Sequence, residues 1–357
     1  MPHILIVKTS SLGDVVHTLP AISDAIESLD DIRFDWVVEE AFAAIPGWHP
    51  GVDQAIPVAL RRWRKDWRTA RRREWPAFLE RLRARRYDWV LDAQGLLKSA
   101  WLCLKARGPT AGPAWYSARE PLASLAYRKR IAVPRDLHAV QRTRRLFASA
   151  LGYAVPDGGI RYGLDRARLR PSAELETLIR EGPYVVFLHA TTWATKHYPE
   201  TSWAALITYA ADAGLRVLLP WGTDEEQARA QRLAKPHPLT TVVPRQDLDG
   251  IATLLAGAQG VIAVDTGLAH LAAALDTPLI GLYGATDPTR TGALGRNQQH
   301  LSAQRNCAPC LARRCRQVSS GDPPCYASIT PIDVWRALEQ RMASKTYRQA
   351  DNKPVGN

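Results

Sequence analysis

Short unbroken apolar runs alternate with helical patterning along most of this chain, and that alternation limits the possible folds more than any other feature. In the first half HILIVK, FDWVVE, DQAIPVAL and YDWVLDAQ read as strands. They are followed in turn by a helical pattern over 15–29, a short helical piece, a basic segment, and LLKSAWLCLKA. A strand without polar interruption suits a parallel sheet covered on both faces, and the helices supply the crossovers. The pattern resumes later with YVVFLHA, RVLLPWG, TTVVP, GVIAVDT and LIGLYG. Helical stretches over 202–213, 224–235 and 247–258, and LAHLAAAL, separate these runs. The sequence therefore predicts an α/β protein with two doubly wound parallel sheets.

Between the two series, over 152–180, the pattern lapses into YAVPDGGIRYGLDRARLRPSAEL, rich in glycine, proline and charge. Such a stretch marks a domain boundary, and 357 residues suit two domains of about 150 to 200 residues. The expected organisation is a first domain over 1–165, a second over 180–330, a C-terminal helix over 331–345 and a disordered tail over 346–357. Ligands of open parallel sheets bind at the carboxyl ends of the strands. Two such sheets place the expected site in a cleft between domains.

Composition excludes several classes. Hydrophobic residues make up 46% and charged residues 23% of the chain, which rules out a largely disordered or fibrous protein. No apolar run reaches the 18 residues that would indicate a membrane-spanning helix, and the N-terminus enters a strand without the features of a signal peptide. A cytoplasmic protein is the expectation. Five cysteines, with Cys103 isolated, are too few and too uneven for a disulfide scaffold. Cys307, Cys310, Cys315 and Cys325 form C-x2-C-x4-C-x9-C; this spacing leaves open a structural metal, free thiols or a disulfide, and no metal is expected.

The net charge of +12 is concentrated. Residues 61–86 carry 12 Lys and Arg against Asp66, Glu74 and Glu80. The run suits an anionic partner, either nucleic acid or a phosphorylated lipid, although a solvated helix face would look the same. Trp63, Trp67 and Trp75 among the arginines favour an interface with an amphiphile or with stacked bases.

Neither a P-loop nor a G-x-G-x-x-G is present, which weakens nicotinamide and ATP readings. Polar clusters stand at the strand exits instead. Ser10, Ser11 and Gly13 precede Asp14, which serves equally as a first-turn helix acid or as a general base for an incoming hydroxyl. Thr191 and Thr192 with Lys196 suit a diphosphate, and Lys196 can balance a leaving phosphate; an exposed loop lysine is the plainer alternative. Asp265, Thr266 and Gly267 open a helix as an anion or sugar cradle would, or as a simple N-cap and turn, with His270 one turn further on.

KTSSLGDVVHTLPA, FDWVVEEAFAAIPGWHP, RRWRKDW, LDAQGLLKSA, AREPLAS, HAVQRTR, FLHATTWATKHYP and VDTGLAHL, in this order, resemble the ADP-heptose:lipopolysaccharide heptosyltransferases. The likeness is greatest to members that add the first heptose. It implies a GT-B fold and inverting transfer of L-glycero-D-manno-heptose from ADP-heptose to Kdo2-lipid A on the cytoplasmic face of the inner membrane, with peripheral membrane contact and no cofactor. It implies Asp14 as general base. Thr191, Thr192, Lys196, Glu226, Asp265, Thr266, Gly267 and His270 would then bind the donor. Arg61, Arg62, Arg64, Lys65, Arg119 and Arg142 would bind the acceptor's carboxylates and phosphates; Ser10, Ser11 and Gly13, whose tight turn offers N–H groups to a substrate oxygen, are read from the residues themselves as acceptor-binding too. The alternatives are an enzyme adding the second heptose and, from another class, a basic nucleic-acid-binding protein; the resemblance implies no nucleic-acid partner. The four-cysteine region is not part of this resemblance, and its role is open.

Overall fold

The structure, a computed structural model, describes residues 1–66, 68, 70–318 and 321–351, so Trp67 lies outside the described residues. The chain divides into two compact units, Met1–Arg168 and Leu169–Asn357. Each is an α/β unit around one six-stranded parallel sheet.

In the first unit the strands are β1 His3–Val7, β2 Arg33–Glu39, β3 Val52–Val58, β4 Trp89–Asp92, β5 Thr110–Pro113 and β6 Lys129–Ile131. Their order across the sheet is β3-β2-β1-β4-β5-β6, with every pairing parallel. Ile4, Leu5, Ile6 and Val7 are buried throughout, as a central strand covered by helices on both faces requires. Successive strands proceed outward from β1 in one direction and from β4 in the other. The chain therefore reverses between these two neighbours, where the loops leaving adjacent strands diverge and open a crevice.

The second unit repeats the plan with β7 Tyr184–Leu188, β8 Arg216–Leu219, β9 Thr240–Val242, β10 Gly260–Val264, β11 Leu279–Tyr283 and β12 Gln298–Ser302. The order is β12-β11-β10-β7-β8-β9, again parallel, with the reversal between β7 and β10. Phe187, Trp203, Leu206, Ile262 and Leu338 are wholly buried in its main core.

Three features differ from the sequence reading. The pattern over 15–29 is two helices, Leu12–Val16 and Leu19–Ser28. Pro20 falls in the first turn of the second, where a missing N–H costs nothing, whereas inside one continuous helix it would break the ladder. Strands β5, β6 and β12 were not legible, because TAGP, KRI and QQHLS lack the apolar run of a central strand. The C-terminal helix, expected to end at 345, runs over Pro331–Asp351. No proline or glycine interrupts the sequence before Pro354, so nothing stops the helix where a disordered tail was expected. Residues 352–357 of that tail lie outside the described residues.

Candidate active site

Both reversal points carry the polar clusters singled out above. In the first unit β1 leads into Lys8–Asp14. Lys8 is buried; its ammonium donates to the Ala93 carbonyl at 3.1 Å and lies 3.7 Å from Asp14 Oδ1. Thr9 is tied across to the loop after β4, its N–H and hydroxyl both donating to Gln94 Oε1 at 2.8 and 2.9 Å. That second loop is built by Asp92, whose Oδ1 accepts from the amides of Gln94 and Gly95 and whose Oδ2 accepts from the Tyr127 hydroxyl. Burial raises the Asp92 pKa, which these hydrogen bonds oppose. Gly95 sits at φ +69°, and a Cβ there would come 2.8 Å from Pro113 Cγ, so the turn that presents Gln94 requires glycine.

Asp14 occupies the third position of the short helix Leu12–Val16, and its Oδ2 accepts from the Ser11 N–H and from the Ser11 hydroxyl, both at 3.0 Å. The guanidinium of Arg119 stands 4.0 Å away. Partial burial pushes the carboxyl pKa up. Lys8, the Ser11 amide, Arg119 and His17 together outweigh it and hold the group at about 2. Asp14 is thus both a helix-capping acid and a fixed anion, 29% exposed.

Around it the predicted acceptor residues fall into two groups. Ser10 is buried and accepts from the Lys98 ammonium at 3.4 Å, and Gly13 is buried beneath the turn. Arg119 is 67% exposed, and its loop is held by Arg142, which donates to the Ser117 carbonyl at 3.0 Å, and by Arg135, which donates to the Ala118 carbonyl. Farther along the sheet edge Arg61, Arg62, Arg64 and Lys65 follow β3. The Arg61 amide donates to Glu39 Oε1, and the Glu39 N–H donates to the Thr9 carbonyl at 3.1 Å. Arg62 is pinned by two carboxylates, Glu40 at 2.9 Å and Glu74 at 2.7 Å. Hydrogen bonds from Arg62 and then from the Trp63 indole bring the Glu74 pKa down to about 2. A cavity of about 280 Å³ lies here, lined by Glu40, Arg62, Trp63, Glu74, Phe78 and Arg81. Arg64 and Lys65 are exposed.

The expectation that Trp63 lies at an interface is corrected: it is 4% exposed, packed edge-on against Trp75 and Phe78, with its N–H on Glu74. The segment is amphipathic, and this tryptophan belongs to the core side.

In the second unit the loops after β7 and β10 meet. Lys196 Nζ is 2.6 Å from Asp265 Oδ2, the Thr191 hydroxyl donates to the Asp265 carbonyl at 3.0 Å, and the Lys196 ammonium lies 4.4 Å from the centre of the Trp193 ring. Thr286, which the sequence reading missed, donates to the same Asp265 oxygen at 2.7 Å. Thr266 occupies the N-cap position of the helix Gly267–Ala274 without a side-chain capping bond, and His270 is buried one turn inside the helix. The loop rests on the cysteine-bearing stretch. The Thr195 hydroxyl donates to the Ala312 carbonyl at 2.5 Å, and the Tyr326 hydroxyl donates to the Lys196 carbonyl at 2.8 Å. Thr192 is exposed in the same loop. Glu226 is used locally, its carboxylate accepting from the Gly222 N–H at 2.7 Å and its amide donating to the hydroxyl of the N-cap Thr223.

Lys8, Gln94, Lys98 and Thr286 escaped the sequence reading. Lys8 and Lys98 had one signal, a cation at a strand end and another in a helix's first turn; Gln94 and Thr286 had none. Cys307 and Cys310 are exposed, Cys315 partly buried and Cys325 buried, all as free thiols. Among the described residues the one group of three ligand atoms within 4.8 Å of one another is His3, Asp35 and Asp53, near the opposite ends of β1, β2 and β3.

Two parallel sheets of this order, with an ionised carboxylate at one reversal and a lysine flanked by hydroxyls at the other, have the architecture of a GT-B glycosyltransferase. A family model described as glycosyltransferase family 9 (heptosyltransferase) matches residues 75–319, and the chain belongs to that family. It is 49% identical to lipopolysaccharide heptosyltransferase 1 of Pseudomonas aeruginosa, over 97% of this chain and 99% of the relative. It is 51% identical to the enzyme of the same name from Escherichia coli K12, over 85% and 94%. The solved structure of E. coli heptosyltransferase WaaC with ADP superposes with a TM-score of 0.83 at 45% identity, covering 95% of this chain and 99% of that one.

Proposed function

We propose that this chain is an inverting glycosyltransferase that moves L-glycero-D-manno-heptose from ADP-heptose to the Kdo of Kdo2-lipid A, adding the first heptose of the lipopolysaccharide inner core. The observation that carries this reading is Asp14, an anion at the reversal of the first sheet with Lys8 and Arg119 beside it. The names of the relatives and the ADP in the solved neighbour support the donor and the pathway.

In the reaction the Kdo hydroxyl oxygen attacks the anomeric carbon, the bond from that carbon to the ADP oxygen breaks, and the hydroxyl proton passes to Asp14. A carboxylate held near pKa 2 is a weak base. It suffices because the transition state is oxocarbenium-like: the attacking oxygen becomes strongly acidic as its new bond forms, and the proton leaves late. Arg119, with Arg142 holding its loop, suits the Kdo carboxylates, since guanidinium forks grip such groups in pairs. On the donor side Lys196, Thr191 and Thr192 stabilise the charge that develops on departing ADP, a task that requires no metal and no resident cofactor. Asp265 orients the ammonium in the meantime. The acceptor is a membrane lipid, so the enzyme works peripherally at the cytoplasmic face of the inner membrane; no helix among the described residues is long and apolar enough to cross it.

The test is incubation with ADP-heptose and Kdo2-lipid A, followed by mass spectrometry for the heptosylated lipid, with an acceptor already carrying one heptose as the competing substrate. Asp14→Asn is expected to lower turnover at least about a hundredfold, within the range for loss of general-base catalysis. ADP-heptose binding by calorimetry should stay nearly unchanged. Unaltered turnover in this variant, or preference for the heptosylated acceptor, rejects the assignment.

A further inference from the structure

One surface of the first unit has no part in the reaction as described. The helix Leu97–Cys103 turns Ala100, Leu102 and Cys103 inward, and leaves Leu97 50%, Trp101 38% and Leu104 59% exposed at successive turns of one face. Beside it the short turn Pro121–Ala126 buries Ala123 and Ser124 and exposes Leu122 (56%) and Leu125 (62%). The two pieces are joined by the packing of Ala100, Ala123 and Tyr127 and by the Leu97 amide donating to Glu120 at 2.6 Å. Five large apolar side chains thus share one ridge. A contiguous apolar surface of this sort marks an interaction site, whereas single exposed leucines such as Leu239 and Leu311 do not.

The charge around the ridge says what kind of partner fits. Residues 97–130 contain seven cations, Lys98, Lys105, Arg107, Arg119, Arg128, Lys129 and Arg130, against one acid, Glu120, whose carboxylate already holds the Leu97 amide. Lys105 lies over the Trp101 ring at 5.5 Å, and Trp101 stacks on Trp75 at 4.7 Å. Tryptophan and leucine flanked by cations match the boundary between headgroups and acyl chains of an anionic bilayer, where apolar burial and attraction to the lipid charge act together. The same helix reaches the reaction site, since Lys98 donates to Ser10 in the turn that carries Asp14.

We propose that the ridge formed by Leu97, Trp101, Leu104, Leu122 and Leu125 docks this protein on an anionic membrane surface, and so brings the turn of Asp14 to the headgroup level. The proposal rests on the reading of the acceptor as a membrane lipid. It locates docking on this ridge; Trp63, from the basic segment, is a core residue.

Flotation with acceptor-free vesicles tests it. Phosphatidylethanolamine vesicles with phosphatidylglycerol are compared with phosphatidylcholine vesicles. Wild-type protein is expected to float with the anionic vesicles. The double variant Leu104→Gln with Leu125→Gln should lose about tenfold or more of that partition, because both side chains are exposed and their apolar contact is what the bilayer gains. A second variant, Arg107→Glu with Arg128→Glu, should lose binding chiefly to the anionic vesicles. Thermal unfolding of both variants should stay close to wild type, and transfer to detergent-dispersed Kdo2-lipid A should be retained. Unchanged flotation of both variants overturns the proposal. So does wild-type self-association that the leucine variant abolishes without any flotation, since the ridge would then be covered by a second copy. Wild-type protein that floats through this ridge yet transfers nothing to dispersed acceptor supports the docking surface and refutes the reaction assignment instead.

Discussion

Asp14 does two things that pull in different directions. As the third residue of its helix it caps the Ser11 amide, and as a base it must accept a proton. Its pKa near 2, below the ordinary 3.8, means that the carboxylate form prevails everywhere above about pH 3. The free enzyme therefore has its base ready throughout the range from about pH 5 to 8. We expect kcat/KM to show no acid limb from this group in that window. Removing Arg119, one of the charges that depress it, should raise the Asp14 pKa and move such a limb toward higher pH, in addition to any loss of acceptor affinity. A pH–rate series on wild type and Arg119→Ala, extended below about pH 4, checks this; identical profiles there would mean that Arg119 does not set the base. The double use also explains what was legible at this position. An acid in a helix's first turn after a strand is visible in sequence, but Lys8 and Arg119, which fix its protonation state, come from a strand residue and from a loop 105 residues downstream, and only folding brings them to it.

At the scale of elements, the reversal of strand order places the chemistry. Strands β1 and β4 pair in register, so the loops after Val7 and Asp92 leave side by side. Strands β7 and β10 do the same for the loops that carry Lys196 and Asp265. The central strands were readable because burial on both faces demands unbroken apolar runs. The edge strands β6 and β12 were not, because an edge tolerates Lys129, Arg130, Gln298 and Gln299. The partnership of Lys196 with Asp265 and Thr286 depends on this topology and on no motif. Lys196→Ala is expected to lower kcat by roughly a hundred- to a thousandfold, the usual cost of removing one group that stabilises developing charge, and steady-state kinetics with ADP-heptose would measure it. A loss confined to KM would assign Lys196 to ground-state binding alone. In the first unit the core reaches the loop directly. The buried Trp36 indole donates to the Lys8 carbonyl at 3.0 Å, so Trp36→Phe leaves that carbonyl unpaired. Chemical denaturation should show a loss of about 1 to 3 kcal/mol beyond the change in packing.

The whole molecule consists of two units with separate cores, and their ionisable groups respond differently to acid. In the first unit His49 is buried and accepts from the Gly51 amide, and burial, with Arg168 beside it, pushes its pKa down to about 4. In the second unit burial depresses three histidines. His189 falls to about 3, with Arg229 and His197 adding to the effect, and His197 and His300 are also lowered. A histidine whose folded pKa lies below the ordinary 6.5 takes up protons more readily when unfolded. Its stabilising contribution is whole above about pH 6.5 and is lost as pH falls toward the folded value. His49 and His189 each cost about 1.4 kcal/mol per pH unit over that interval, and the lowered values of His197 and His300 add to the loss in the second unit, which therefore loses stability more steeply than the first. The buried acids add to the contrast, since Asp92 and Glu39 of the first unit have raised values and gain relative stability as they protonate. Calorimetry between about pH 6.5 and 5 should therefore separate two transitions, the lower one belonging to Leu169–Asn357. ADP at a hundred times its Kd should raise that transition by about 2.7 kcal/mol of stability and leave the other nearly unmoved, which identifies it independently. A single transition with one pH slope, or an ADP effect on the acid-resistant transition, would show that the histidines of the second unit do not control its stability.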